Sequence, residues 1–340
     1  MNLKNVASLE EALSRPCEED VAAMAEMGGD LLILGAGGKM GPSLAARAKR
    51  AAEQAGVQVR VIAVSRWSRD EPRNLLRQQG IETISAELLE ERELASLPDV
   101  PNVVFMAARK FGSTGAEAYT WAMNVYLPAR VAERYRNSRI VAFSSGNVYQ
   151  LVPVTSGGAT EETPLSGVGE YAQSVLGRER MLQHLSAQHG TKVALLRLNY
   201  AVEMRYGVLL DIGRKVFARE AVDLGTGNVN VIWQGDANSI CLRLFRHCAT
   251  PPIALNVTGP ETLSVRWIAE CFGRHFGVEP AFSGQEAQTA LLSNAARCHR
   301  LFGYPRVTVE ELIEATAHWI GMNGPTYDKP THFDARDGKF

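Results

Sequence analysis

Short, unbroken apolar runs alternate along the chain with longer segments whose apolar residues recur every three or four positions. The runs fall at residues 30–34, 57–64, 81–85, 102–107, 139–144 and 192–198, each rich in Val, Ile and Leu. A run without polar alternation is what a strand covered on both faces requires. Residues 43–54, 91–96, 116–135 and 170–186 lie between them and carry the helical period. This order predicts an α/β fold with a doubly wound parallel sheet. Past residue 200 the alternation loosens into a Gly- and Val-rich stretch (223–233), one further run (253–257) and helical segments at 265–276 and 310–320. A smaller C-terminal lobe, partly returning to the main sheet, is the expected result.

The first apolar run ends in Gly35-Ala-Gly37-Gly38-Lys39-Met40-Gly41, and a helix follows. Glycine lets the backbone turn sharply and approach a pyrophosphate without a Cβ in the way. The helix adds unpaired N–H groups and a positive dipole end, and Pro42 suits its first turn, where a missing N–H costs nothing. Strand, glycine turn and helix together predict dinucleotide binding in a Rossmann-type domain, with residues 35 and 37–41 as cofactor contacts. The chain then divides into a helical extension (1–29), a dinucleotide-binding domain (30–200), a mainly substrate-binding lobe (201–320) and a polar, Pro-punctuated tail (321–340) that reads as loosely held. Residues 150–169, rich in Gly, Pro, Ser and Thr, read as a long loop on the active-site side.

Composition narrows the class. The 36 basic and 37 acidic side chains nearly cancel, and no long basic run occurs, so neither a nucleic-acid groove nor a membrane surface is indicated. Nothing approaches the roughly 20 apolar residues of a membrane span. The five cysteines are scattered without a Cys-x-x-Cys pair, as expected of reduced thiols in the cytoplasm rather than disulfides or zinc. The histidines form no metal-ligand spacing, so no metal is expected.

The end of the second strand bears on cofactor choice. An acidic residue there binds the adenosine ribose hydroxyls, whereas an arginine accommodates a 2′-phosphate. Here the strand ends in Ser65-Arg66, with no carboxylate until Asp70. This favours NADP(H), with NAD(H) as the other option.

The glycine turn, the Ala107-Ala108 pair ending the fourth run, Asn124, Ser144-Ser145-Gly-Asn147-Val-Tyr149, Tyr171 and the later segments Asn256-Val-Thr-Gly-Pro and Leu301-Phe-Gly-Tyr-Pro305 together resemble an extended short-chain dehydrogenase/reductase of the NAD(P)-dependent epimerase/dehydratase family. The resemblance spans roughly residues 30–320. It implies that Tyr171 is a general acid/base moving a proton to or from a substrate hydroxyl, that Ser145 steadies the same oxygen, and that Tyr171, Ala107 and Ala108 meet the cofactor. Glu87, followed by Leu88, stands where the family has an aspartate near the adenine, and Asn124 is implied to hold its helix against nearby backbone. Relatives pair through the helices carrying Asn124 and Tyr171, which implies a homodimer. Asn147, Asn199, Tyr200, Arg214 and Trp233 join Ser145 as candidate substrate contacts; a solvated helix face is the competing reading for Arg214. Ser113 and Thr114, ahead of a helix, serve equally as caps or ligand contacts.

One departure stands out. The family carries a lysine four residues after the tyrosine, on the same helix face; here the segment reads Tyr171-Ala-Gln-Ser-Val175. A phenol with an unperturbed pKa near 10 works at neutrality only when something favours its phenolate. Three explanations remain open. Another cation substitutes, with Lys110 after the fourth strand, beside Arg109, as first candidate and Arg178 as second; or the charge of the cofactor and bound water suffice; or catalysis is lost. The sequence therefore supports an enzyme that transfers hydride at a hydroxyl-bearing carbon of a sugar, sugar acid or derivative, as an oxidoreductase, epimerase or dehydratase. The alternative is a catalytically silent NAD(P)-binding sensor or scaffold.

Overall fold

The computed structural model of the 340-residue chain describes every residue except Asn2, Arg69, Phe111, Ser113, Thr114 and Phe340. Its main sheet comprises β1 (Leu31–Leu34), β2 (Val61–Ser65), β3 (Glu82–Ser85), β4 (Asn102–Phe105), β5 (Arg139–Ser145), β6 (Val193–Leu198) and β7 (Ile253–Val257). All pair in parallel, in the spatial order β7-β6-β5-β4-β1-β2-β3. The expected doubly wound sheet is present. Its order reverses at β1 and β4, where Leu31 is level with both Val61 and Asn102, so a crevice opens beyond the carboxyl ends of those two strands.

Helices α1 (Val6–Ser14) and α2 (Glu18–Met27) precede the sheet, α3 (Gly41–Gln54) follows β1, α4 (Asp70–Gln78) follows β2 and α5 (Glu91–Ser96) follows β3. After β4 come α6 (Glu117–Trp121), a π-helical turn (Ala122–Tyr126) and α7 (Leu127–Arg134), and after β5 the long α8 (Gly169–His189). Side chains of β1 alternate between the two faces. Leu31 and Ile33 meet the alanines of α3, while Leu32 and Leu34 meet Leu127 and Val131 of α7 and Leu182 and Leu185 of α8. Both faces are dry, which is why the strand carries no polar residue.

Beyond β6 lie α9 (Val208–Phe217), α10 (Gln234–Arg243), α11 (Val265–Phe276), α12 (Ala296–Phe302) and α13 (Val309–Gly321). Helix α10 packs on α3 beside the sheet, and α9, α11 and α13 enclose a second core around Ile212, Phe272 and Trp319. Leu9 and Leu13 of the N-terminal extension enter that second core. The extension is further tied down by fully buried Asp20, whose carboxylate takes Arg47 at 2.6 Å and the Ser239 hydroxyl.

A buried network joins the strand ends to α8. Glu179 takes Arg197 through two bonds, at 2.9 and 2.7 Å, and also accepts the Ser144 hydroxyl. Arg197 passes on to the Tyr149 hydroxyl at 2.7 Å, and Tyr149 donates to Asn256 at 2.8 Å. The chain of bonds therefore spans α8, β5, β6, the loop after β5 and β7. Removing one partner of a buried ion pair strands the other charge. Glu179→Ala is expected to lower folding stability by about 3–5 kcal/mol, whereas Arg15→Ala, which removes an exposed pair with Glu11, changes it by less than about 0.5 kcal/mol. Denaturant titration of the two variants checks both values.

Candidate active site

The glycine turn is built as its sequence requires. Gly35 has φ +92°, a region glycine enters freely, and a Cβ there would lie 2.5 Å from the Ala107 nitrogen at the end of β4. A Cβ on Gly41 would sit 2.2 Å from the Ala36 carbonyl oxygen, and one on Gly37 2.3 Å from Ser65 Oγ. Gly35 and Gly41 therefore close the turn, and Gly37 brings it against the end of β2. Gly38 is exposed, with its nearest such contact at 3.5 Å, so backbone lies open to the crevice there. Helix α3 starts at Gly41 with no side chain capping its first N–H groups. Bare amides at the start of a 14-residue helix suit an anion, so these residues fit a dinucleotide pyrophosphate.

Lys39 leans over the crevice, its Nζ 3.0 Å from the centre of the Tyr206 ring. Burial brings its pKa down to about 7, with the charges of Lys329 and Lys110 adding to the effect and Asp211 and Glu203 opposing it. Met40 packs on the core instead. At the far end of the turn Arg66 is exposed, with one nitrogen 3.3 Å from Glu87 and 3.4 Å from the Tyr119 hydroxyl. Leu88 is buried among the helices over the sheet, and Ala107 is buried while Ala108 is exposed.

Tyr171 lies in the first turn of α8, buried to 8 % exposure, and its phenol is hydrogen-bonded to the Ser145 hydroxyl at the end of β5. Ser145 also bonds the Asn147 side chain at 3.0 Å and accepts the Asn147 N–H at 3.2 Å. Burial raises the Tyr171 pKa, against the charge of Arg178 and the bond to Ser145. Lys110 Nζ is 5.8 Å from the centre of the Tyr171 ring, and burial brings its pKa down to about 8. Val175 is buried against Val148, Tyr149 and Tyr171 and offers nothing polar. Ser145, Tyr171 and Lys110 therefore converge, and the glycine turn reaches toward them through Lys39.

The candidate substrate residues separate. Asn147 and Tyr200 line a cavity of about 30 Å³, room for about one water, together with Tyr149, Phe333, Arg336 and Gly338. Tyr200 has φ +42°, a strained conformation for an aromatic residue that costs about 1–3 kcal/mol. Asn199 is buried behind it, its amide 3.3 Å from the Leu291 carbonyl. Two expectations need correction. Trp233 is packed inside the second core at 3 % exposure, because the short strand Ile232–Trp233 pairs with Ala201–Val202 and turns the indole inward. Arg214 lies on the outer face of α9, 3.4 Å from both Thr326 and Asp328 of the tail, where a long charged side chain remains in solvent. Ser113 and Thr114 lie outside the described residues.

The tail also differs from the sequence expectation of a loosely held segment. Thr331 donates through its N–H and its hydroxyl to Asp211, at 2.8 and 2.6 Å, and Phe333 is 7 % exposed in the second core. Arg336 bonds the Thr289 carbonyl and hydroxyl at 2.7 Å each. Gly338 packs on Gly169 so closely that a Cβ on Gly169 would lie 2.4 Å from the Gly338 oxygen. This segment closes over the small cavity lined by Asn147, Tyr149 and Tyr200. Being polar, it carries no periodic signal; Phe333 alone hints at docking. Glu179, Arg197 and Arg336 are likewise positioned by tertiary contacts that spacing does not disclose.

Among the described residues no cluster of acidic, His and Cys side chains could hold a metal, no helix is long and apolar enough to cross a membrane, and all five cysteines are free. No curated protein matches the chain by sequence. Solved structures with the same fold include the UDP-glucose 4-epimerase of Thermotoga maritima with UDP-glucose (16 % identity, TM-score 0.69, 86 % of this chain and 99 % of that one). The UDP-glucuronic acid 4-epimerase of Bacillus cereus in complex with NAD aligns at 14 % identity and TM-score 0.71 over 86 % of this chain and 99 % of that one. An epimerase of Methanothermobacter thermautotrophicus aligns at 18 % identity and TM-score 0.71 over 90 % and 96 %. The sequence model described as the NAD dependent epimerase/dehydratase family matches residues 31–202, half of the chain. The chain belongs to the NAD dependent epimerase/dehydratase family.

Proposed function

We propose that this protein is a nicotinamide-dinucleotide-dependent epimerase/dehydratase or dehydrogenase whose substrate presents a hydroxyl-bearing carbon of a sugar, sugar acid or sugar derivative. The observation that carries the reading is the Ser145–Tyr171 hydrogen bond with Lys110 beside the phenol, at the carboxyl edge of β4 and β5. The open backbone at Gly37 and Gly38, the uncapped start of α3 and Lys39 would hold the pyrophosphate, and Ser65, Arg66 and Glu87 would face the adenosine end. When bound, the nicotinamide supplies the hydride acceptor and donor. Tyr171 takes the proton from the substrate hydroxyl and returns it. Ser145 holds that oxygen in line, and Asn147 fixes the Ser145 rotamer. Lys110 supplies positive charge beside the phenol. A silent dinucleotide binder would have no use for the Ser145–Tyr171 pair.

The test incubates the protein with NAD or NADP and a panel of aldoses, alditols, aldonates and nucleotide sugars, following reduced nicotinamide by absorbance or, where no net redox occurs, the products by NMR. Tyr171→Phe is expected to lower turnover by about 100-fold or more, the usual range for a general acid/base; unchanged turnover refutes the assignment. Lys110 is depressed by burial, so its charge is present below about pH 8 and lost above it. The rate therefore falls as pH rises past that point, and Lys110→Ala removes this limb of the profile.

The cofactor is NADP(H) in preference to NAD(H), because Ser65 and Arg66 end β2 without a carboxylate of their own. Releasing Arg66 from Glu87 to a 2′-phosphate exchanges one charge-assisted bond for a stronger one. Arg66→Asp is expected to shift the ratio of dissociation constants toward NAD by about 10-fold or more; titration with each dinucleotide reads it, and equal weakening of both contradicts the reading.

The protein is a homodimer in the cytoplasm on this reading. Tyr119, Trp121 and Tyr126 stand exposed at 36, 40 and 56 % around the α6–α7 turn, an aromatic surface of the kind that interfaces cover. Sedimentation is expected to give twice the chain mass, and Trp121→Glu to give the monomer.

A further inference from the structure

We propose that Arg178 is the positioning residue of the Tyr171 proton site, a guanidinium fixed beneath the catalytic helix in place of the cation that Val175 cannot supply. The inference rests on the acid/base reading of Tyr171. Arg178 is 2 % exposed and lies seven residues, two helical turns, after Tyr171 on the same face of α8. Its Nη1 donates to the Phe143 carbonyl at 2.7 Å, and its Nη2 to the Ala107 carbonyl at 3.1 Å and to Asn124 Oδ1 at 3.0 Å. Its Nε donates to the Asn124 carbonyl at 3.3 Å. Those acceptors lie at the carboxyl ends of β4 and β5 and in the π-helical turn.

The local sequence makes this reach possible. Pro128, four residues after Asn124, has no N–H to give the Asn124 carbonyl, so that oxygen is left for Arg178. Gly177 brings α8 against the π-turn, since a Cβ there would lie 2.9 Å from the Val125 side chain. Asn124 then bonds both ways along the site. Its Oδ1 accepts the Arg109 N–H at 2.9 Å, and its amide donates to the Arg109 carbonyl and to Ser174 Oγ, each at 2.9 Å. Ser174 in turn donates to the Tyr171 carbonyl at 2.8 Å. One guanidinium therefore fixes both the loop that presents Lys110 and the helix turn that presents Tyr171.

What makes Arg178 more than a brace is its charge. All four acceptors are neutral. The adjacent carboxylate, Glu179, is occupied by Arg197 and Ser144, and among the described residues no carboxylate pairs with Arg178. The charge of Glu179 favours the cation without pairing with it, and a buried cation that lacks a paired anion is costly unless one forms near it. The phenolate of Tyr171 is such an anion, and the two groups interact electrostatically. Among the described residues, Lys110 from the β4 loop and Tyr206 from the small lobe also face the phenol. Lys110 loses its proton near pH 8, whereas burial brings Arg178 only to about 10, so Arg178 keeps its charge where Lys110 does not. The two duties of a lysine at position 175 are divided: Lys110 faces the reacting groups, and Arg178 holds the charge and the geometry.

The test needs neither substrate nor dinucleotide, so its failure is distinguishable from failure of the proposed activity. Difluorotyrosine, whose phenol titrates nearer neutrality, is incorporated in place of tyrosine, and the Tyr171 resonance is assigned by its absence in Tyr171→Phe and titrated by fluorine NMR. Arg178→Gln keeps donors for the carbonyls without the charge, and Arg178→Met removes both. Each is expected to raise the Tyr171 midpoint by about one pH unit or more, while Arg178→Lys leaves it near that of the parent protein. Val175→Lys on the Arg178→Gln background is expected to lower it again. A midpoint unchanged in a folded Arg178→Gln or Arg178→Met protein overturns the proposal. Should only the double variant fold, a midpoint matching the parent supports the exchange of one charge for the other, and one displaced by about a unit or more overturns it.

Discussion

Helix α8 is pinned to the carboxyl ends of the parallel strands by two buried guanidinium groups, and the site takes its geometry from that attachment. Arg178, on the helix, reaches carbonyls at the ends of β4 and β5; Arg197, on β6, reaches back to Glu179 of the helix and across to Tyr149. Apolar packing alone tolerates sliding by a fraction of an ångström, whereas hydrogen bonds with short, directional partners do not. Ser145 ends one of the pinned strands and Tyr171 begins the pinned helix. Their bond therefore follows from the two attachments rather than from contacts of their own. Helix register, strand ends and proton site form one mechanical unit.

The crevice beyond that unit is electrically lopsided. Lys39, Lys110 and the exposed Lys329 interact through their charges, and the first two are held far below the ordinary lysine range by burial. A buried lysine cation near other positive charges is favoured by an anion. A dinucleotide pyrophosphate is such an anion, and the uncapped start of α3 comes two residues after Lys39. Tyr206 favours the Lys39 cation with a ring face at 3.0 Å, and the charges of Asp211 and Glu203 favour it as well.

Much of this was legible along the chain, for physical reasons. Strands buried on both faces must read as apolar runs, and a turn that brings backbone against Ala107 and Ala36 must be glycine, so the sheet and the phosphate turn were open to inspection. Val175 was legible as a departure only through the family resemblance, which implies a lysine at that place on the helix face of Tyr171. Burial of a side chain that could equally bind ligand was not legible. Trp233 reads the same whether it lines a pocket or fills a core, and only the pairing of its two-residue strand decides. Arg214 reads as a substrate contact or a solvated cation, and the face of α9 decides. The docked tail defeats periodicity altogether, since its hold comes from Thr331, Phe333 and Arg336, scattered among polar neighbours. The π-helical turn falls in the same class: Pro128 marks a missing donor, but not which side chain replaces it.

Positions 175 and 178 are best understood together. They lie three residues apart on one helix, so their side chains are neighbours on one face. Val175 sits in an apolar cluster with Val148, Tyr149, Ala159 and Tyr171. A lysine there would have to carry its ammonium out of that cluster toward the phenol, close to the guanidinium already lodged against Phe143, Ala107 and Asn124. Two like charges close together in a buried site repel strongly, because the low local dielectric magnifies the interaction. A chain that places its fixed charge at 178 therefore gains by an apolar residue at 175, which completes the packing around Tyr171 instead of contesting the charge. The valine that looks like a loss in the sequence is the residue the arginine makes favourable.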